Sequence, residues 1–120
     1  MILHFCTRAE WDAAMAAGTY RAASLATQGF IHCSTPEQVH IPATMLARGC
    51  TDLLLLVLDE QLLPVPVVWE DGDPPHPSGM QFPHLYAPIP VAAVKAVHEW
   101  PPQPDGSFAP PACLGVHSNP

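Results

Sequence analysis

Basic residues are nearly missing from this chain. Arg8, Arg21, Arg48 and Lys95 face eleven acids, and the formal net charge is −7. A phosphate backbone is held by a stripe of Lys and Arg, which four scattered cations cannot form. Nucleic acid and anionic membrane surfaces are therefore excluded as general partners, and an anionic cofactor would have to rely on backbone amides and an arginine. Long hydrophobic runs are scarce too. The longest, Leu53 to Leu58, falls far short of the ~20 residues of a membrane helix. The opening MILHFCTRAEW has no basic start, long apolar centre or small-residue cleavage site. No C-x-x-C pair occurs among Cys6, Cys33, Cys50 and Cys113, so free thiols and a soluble, cytoplasmic protein are expected. Glycine-built signatures are missing as well: there is no G-x-S-x-G, no phosphate-cradling loop and no G-x-G-x-x-G.

What is present is a chain of 120 residues, 48% apolar and only 12% charged, which suits one globular domain with a modest core. Its 16 prolines imply many loops and interrupted helices. Ile2 to Cys6 alternates as a strand, with Ile2, His4 and Cys6 on one face and Leu3 and Phe5 on the other. Thr7 and Glu10 form a capping-box pattern, predicting a helix from Arg8 to Ala17 that stops at Gly18. Residues 18–29 show no period and read as a loop. A second strand is expected over Gly29–Cys33. Ser34 or Thr35 then caps a helix starting at Pro36, which Pro42 should interrupt and which should end near Gly49.

Asp52 to Asp59 reads as a central strand because it is apolar on both faces. Val65 to Glu70 reads as an edge or bulged strand containing Pro66. The segment EDGDPPHPSG is a surface loop, FPHLYAPIP is extended, and VAAVKAVHEW is a short helix or strand. The expectation is one α+β domain over 1–100, followed by a Pro-rich C-terminal tail over 101–120 that has no period and adds little to stability.

Polar groups converge in two motifs. In GFIHCSTPEQV, an extended Phe30–Ser34 turns Phe30, His32 and Ser34 one way and Ile31 and Cys33 the other. Adjacent strand residues do not readily share a metal, so a zinc site on His32 and Cys33 is disfavoured and no metal is expected. His32 is either a site residue or a half-buried histidine bonded to a backbone carbonyl. In FPHLY, His84 and Tyr86 share a face, to meet a ligand or, for Tyr86, to pack in the core. Glu70 ends a strand opposite Trp69 and is either a partly buried carboxylate of shifted acidity or a solvated strand end. Gln38 would sit near the helix N-terminus, one turn after Thr35.

Taken together, GFIHCSTPEQV, VVWE and FPHLYAPIPVAAV resemble the uncharacterised family catalogued as domain of unknown function 952, over about Ile2 to Glu99. The resemblance implies a fold similar to the ADP-ribosyltransferases, with two small, mostly antiparallel sheets framing a cleft between short flanking helices. In that fold group a histidine or arginine, a hydroxyl residue and a glutamate make the site. Here His32 or His4, Ser34 and Thr35, and Glu70 would match them. The expectation that follows is a small enzyme of glycosyl or ADP-ribosyl transfer type acting on a nicotinamide or other nucleotide-like ligand, with NAD as a candidate substrate. His32 and Glu70 would be catalytic, and Ser34, Thr35, Gln38, His84 and Tyr86 would bind the substrate. The rival expectation is a non-catalytic metabolite-binding or accessory domain, and a third is a structural module.

Overall fold

The computed structural model describes residues 1–115. Among these residues eight strands and three α-helices, besides three short 3-10 turns, run in the order β1 (Ile2–Thr7), α1 (Arg8–Ala17), β2 (Thr19–Tyr20), α2 (Ala23–Thr27), β3 (Ile31–His32), α3 (His40–Ala47), β4 (Leu53–Leu58), β5 (Val68–Asp71), β6 (Gln81–Leu85), β7 (Ile89–Pro90) and β8 (Val94–Glu99). The architecture is α+β. The strands form three small antiparallel sheets, β1-β4-β8, β2-β7 and β3-β6-β5, where two had been expected.

The first sheet follows from its side-chain pattern. All residues of β4 are buried because each face of the strand meets its own core. Ile2, Cys6, Leu54, Leu56 and Leu58 join Trp11 of α1 and Ile31, Leu85 and Ile89 in one cluster. Leu3, Leu53, Leu55 and Val57 face the other way, onto Val39 and Ala43 at the start of and within α3, and onto Trp100 and Phe108. α1 begins and ends as its sequence predicts. Thr7 Oγ1 accepts the Glu10 amide, the Glu10 carboxylate accepts the Thr7 amide, and Gly18 takes the left-handed C-cap conformation at φ 81°.

Several expectations are corrected. The stretch 18–29 is no plain loop: Thr19 and Tyr20 pair with Ile89 and Pro90, and Ala23–Thr27 is a short helix. β3 is only two residues long, and Pro83 explains why. Along an antiparallel strand a residue's N–H and C=O point the same way. Pro83 O accepts the Cys33 amide, so its missing N–H also faces β3, and regular pairing stops at His32. After Thr35 the chain makes a turn rather than a helix. α3 starts at His40, which places Pro42 in a first turn whose amides have no intrahelical acceptor. Pro42 therefore sets where the helix begins instead of breaking it. The fourth predicted strand narrows to Val68–Asp71, and VAAVKAVHEW resolves into a turn followed by β8.

The segment after Pro101 is not an appendage. Phe108 is buried, with its ring centroid 4.8 Å from that of Trp100. Its amide donates to Thr44 Oγ1, and the Gly49 amide donates to Gly106 O. Residues 101–115 thus close the second core; the remainder of the expected tail, 116–120, lies outside the described residues.

Candidate functional site

β3 and β6 pair with His32 directly opposite His84, and β5 lies on the other side of β6, bringing Val68 opposite His84. Strand alternation then turns His84 and Tyr86 to the face that Glu70 also occupies. Glu70 Oε1 accepts two hydrogen bonds, from His84 Nδ1 at 2.8 Å and from the Tyr86 hydroxyl at 2.6 Å. Phe30 stacks on the His84 ring at 4.1 Å and lies 4.8 Å from His32 and 5.3 Å from Tyr86. The Tyr86 hydroxyl first, and then the His84 ring, hold the Glu70 carboxyl below its usual range, while the carboxylate pushes the Tyr86 hydroxyl up.

Proton positions follow from the partners. A carboxylate only accepts, so His84 Nδ1 carries a proton and, in the neutral ring, Nε2 is left with a lone pair. His84 is 2% exposed, and its Nε2 has no hydrogen-bond partner among the described residues. His32 is held in the opposite tautomer. Gln28 Nε2 donates to Asp73, so Gln28 Oε1 is the acceptor facing His32 Nε2 at 2.7 Å, and Nδ1 keeps the lone pair. Burial, and next the neighbouring His84, lower the His32 pKa.

His32 and His84 lie on the floor of a cleft of about 670 Å³, within the range of small-molecule sites. Its floor includes Phe5, His32, Ser34, Phe82 and His84. One wall is α3 through Ile41, Pro42, Met45 and Leu46, and the other is the 72–77 loop. Gly72 lets that loop fold back closely, since a Cβ there would stand 3.1 Å from Pro74 O and 3.2 Å from the Phe82 ring. A second cavity of about 660 Å³, lined by His4, Tyr20 and Arg48 among others, shares Phe5, His32 and Leu46 with the first.

His32, Ser34 and His84 thus come together in one cleft, with Glu70 and Tyr86 attached through His84 and Phe30. Thr35 and Gln38 stand apart from it. Gln38 is buried with both amide atoms occupied: Oε1 accepts the Thr35 amide and Nε2 donates to Gln81 O, so it ties the turn after β3 to β6. Cys33 is buried beside Ile31 and also lines the cleft, and burial pushes its thiol up to about 12, away from nucleophilic use. The histidine bonded to a backbone carbonyl is His4 rather than His32. His4 Nδ1 donates to His32 O at 2.6 Å and Nε2 accepts from the Tyr20 hydroxyl at 2.8 Å, and burial lowers its pKa to about 4. Sequence reasoning missed Gln28, Asp73 and Ser24, which lie in stretches without a period. Phe30 was legible from its alternation with His32. Among the described residues, no group of three or more His, Cys, Asp or Glu side chains could hold a metal ion, and no helix is long and apolar enough to cross a membrane.

Residues 5–97 match the family described as Protein of unknown function (DUF952). The crystal structure of protein CC0527 from Caulobacter crescentus is 34% identical to this chain. It superposes with a TM-score of 0.83, the match covering 96% of this chain and 98% of that one. The solution NMR structure of CC0527, also 34% identical, gives a TM-score of 0.74 over 96% and 95% of the two chains. No curated protein matches the chain.

Proposed function

The chain belongs to the family described as Protein of unknown function (DUF952), and from that premise we propose that it is a small enzyme acting on a nicotinamide- or nucleotide-like ligand by glycosyl transfer, in a fold similar to the ADP-ribosyltransferases. The observation that carries this reading is the carboxylate-backed imidazole: Glu70 fixes His84 Nδ1–H and leaves a buried Nε2 beside a small-molecule cleft. Breaking an N-glycosidic bond needs a base for the incoming acceptor and polar groups for the ribose hydroxyls. In the proposed step the acceptor oxygen bonds to the anomeric carbon and its proton passes to His84 Nε2. The carbon–nitrogen bond breaks, and its electron pair leaves with the ring. A pyridinium ring such as nicotinamide departs neutral and needs no acid.

His32 and Ser34 would bind ribose hydroxyls. Glu70 acts through His84 and is a positioning residue, with Tyr86 fixing its carboxylate. The test combines calorimetry with chromatographic detection of released ring, using N-ribosides of nicotinamide and of the common bases. Binding with ring release that is lost in His84→Ala is the expected result. Binding without release by any acceptor would return the chain to a non-catalytic metabolite-binding domain, and absence of binding would remove the ligand class.

A further inference from the structure

The hydrogen-bonding polarity of the cleft says more about what enters it. Among its described lining residues there is neither Lys nor Arg, while Asp73 stands in the wall and Glu70 lies behind His84. Arg48 belongs to the neighbouring cavity and gives Nη1 to Asp105 O. The two histidines facing each other across β3 and β6, with ring centroids 5.3 Å apart, are held in complementary tautomers. Gln28 and Asp73 leave the lone pair on His32 Nδ1, and in the neutral ring Glu70 leaves it on His84 Nε2. Ser24 Oγ, also in the lining, is buried and has no partner among the described residues. The cleft therefore presents the lone pairs of the neutral imidazoles, the Ser24 and Ser34 hydroxyls, which donate as well as accept, and one carboxylate, Asp73, set between apolar surfaces from Phe5, Phe82, Pro42 and Pro74.

We infer that the cleft selects an unphosphorylated ligand, a flat ring carrying N–H donors that is uncharged or cationic, and discriminates against phosphate groups. The inference rests on the proposed function and narrows its substrate class from nucleotide-like ligands to nucleoside-type ones. A ring carboxamide or an exocyclic amine supplies the donors that His32 Nδ1 and His84 Nε2 lack. A phosphate brings acceptors to the imidazole lone pairs and negative charge to a wall holding Asp73, with no Lys or Arg in the described lining to offset the charge. A buried polar atom in need of a partner is also the kind of feature that gives a largely apolar site its orientation.

The experiment is calorimetric titration of the full chain with nicotinamide riboside, adenosine, their 5′-monophosphates and inorganic phosphate, at low and moderate salt, alongside 15N NMR of the histidine rings. Nucleosides should bind, and each 5′-monophosphate should bind at least about tenfold more weakly, by a margin that shrinks as salt screens the carboxylates. Inorganic phosphate should not compete. The His32 and His84 ring nitrogen signals should shift when the nucleoside binds. Ser24→Ala should weaken the nucleoside several-fold with an unchanged melting temperature. Monophosphates binding as tightly as nucleosides, or histidine ring signals that stay put when a nucleoside binds, would overturn the inference while leaving the site in place. If neither nucleosides nor nucleotides bind, the proposed function fails and the inference falls with it.

Discussion

Two buried histidines, one in each of the larger sheets, differ in a single respect. His4, in β1-β4-β8, has both ring nitrogens paired, to His32 O and to Tyr20. His84, in β3-β6-β5, has one nitrogen paired to Glu70 and the other without a partner among the described residues. Their sheets differ in the same sense. Every residue of β4 is buried between two apolar clusters, whereas β5 exposes Val68 and Trp69 and carries Glu70 and Asp71 at an edge. Native interiors leave few polar atoms unsatisfied, because each one costs the desolvation of a group that water would have bonded. Among the described residues no buried side-chain N or O of the first sheet lacks a partner; Ser24 Oγ and His84 Nε2 lack one at the cleft, and His40 Nδ1 lacks one at the start of α3. Under the proposed function, the contrast assigns stability to the first sheet and recognition to the third.

The largest expected effect tests how far the stable region extends. Phe108→Ala removes an aromatic ring packed on Trp100 in the second core and should cost about 3–5 kcal/mol in urea unfolding. A loss within about 0.5 kcal/mol would return residues 101–115 to the status of a tail.

Next comes the acid response of His4. Its folded pKa of about 4 lies below the ordinary 6.5, so the unfolded chain takes up the proton first. Stability should fall as pH drops from 6.5 toward 4 and gain no further loss from this group below that. At about 1.4 kcal/mol per unit the loss amounts to roughly 3 kcal/mol. His4→Asn keeps a donor for His32 O and should flatten the profile in that window. An unchanged slope would show that His4 is not buried neutral.

Glu70→Gln is the test on the other side of the comparison. Stability at neutral pH should change by less than about 1 kcal/mol, while nucleoside binding weakens, because an ionised acceptor makes the stronger hydrogen bond to His84. The lowered Glu70 pKa means that its ionised form favours the fold above the ordinary carboxylate range, with that contribution lost as pH falls through the folded value; the substitution should remove this acid dependence. His32→Ala should weaken the same ligand, and the double variant should be non-additive if both histidines meet one ring. Additive losses in calorimetry would separate the two histidines. The smallest effect belongs to Trp69→Ala on the exposed edge strand, within about 0.5 kcal/mol; a loss of core size would mean that the third sheet carries stability after all.

The sequence by itself determined what depends on near neighbours along the chain. The period-2 faces of β1, the capping box between Thr7 and Glu10, the Gly18 stop and the doubly apolar β4 all rest on short spacings, and all stand in the structure. The same alternation placed His32 with Ser34, and His84 with Tyr86, on shared faces. Tertiary structure alone decided the rest. Residues 101–115 lack any period, yet Phe108 is held because the far face of β4 needs cover. α2 has no capping side chain and a single clearly apolar residue, Leu25, so its support comes from the first core it rests on. Gln38 looked like a site residue by position and became a strap, because β6 brought Gln81 O within its reach. The tautomers of His32 and His84 are set by Gln28, Asp73 and Glu70, which are neighbours in the sequence of neither ring's motif except for Gln28. Local spacing fixes which way a side chain points, but only strand pairing and loop return fix what it meets there, and the chemistry of a histidine depends on what it meets.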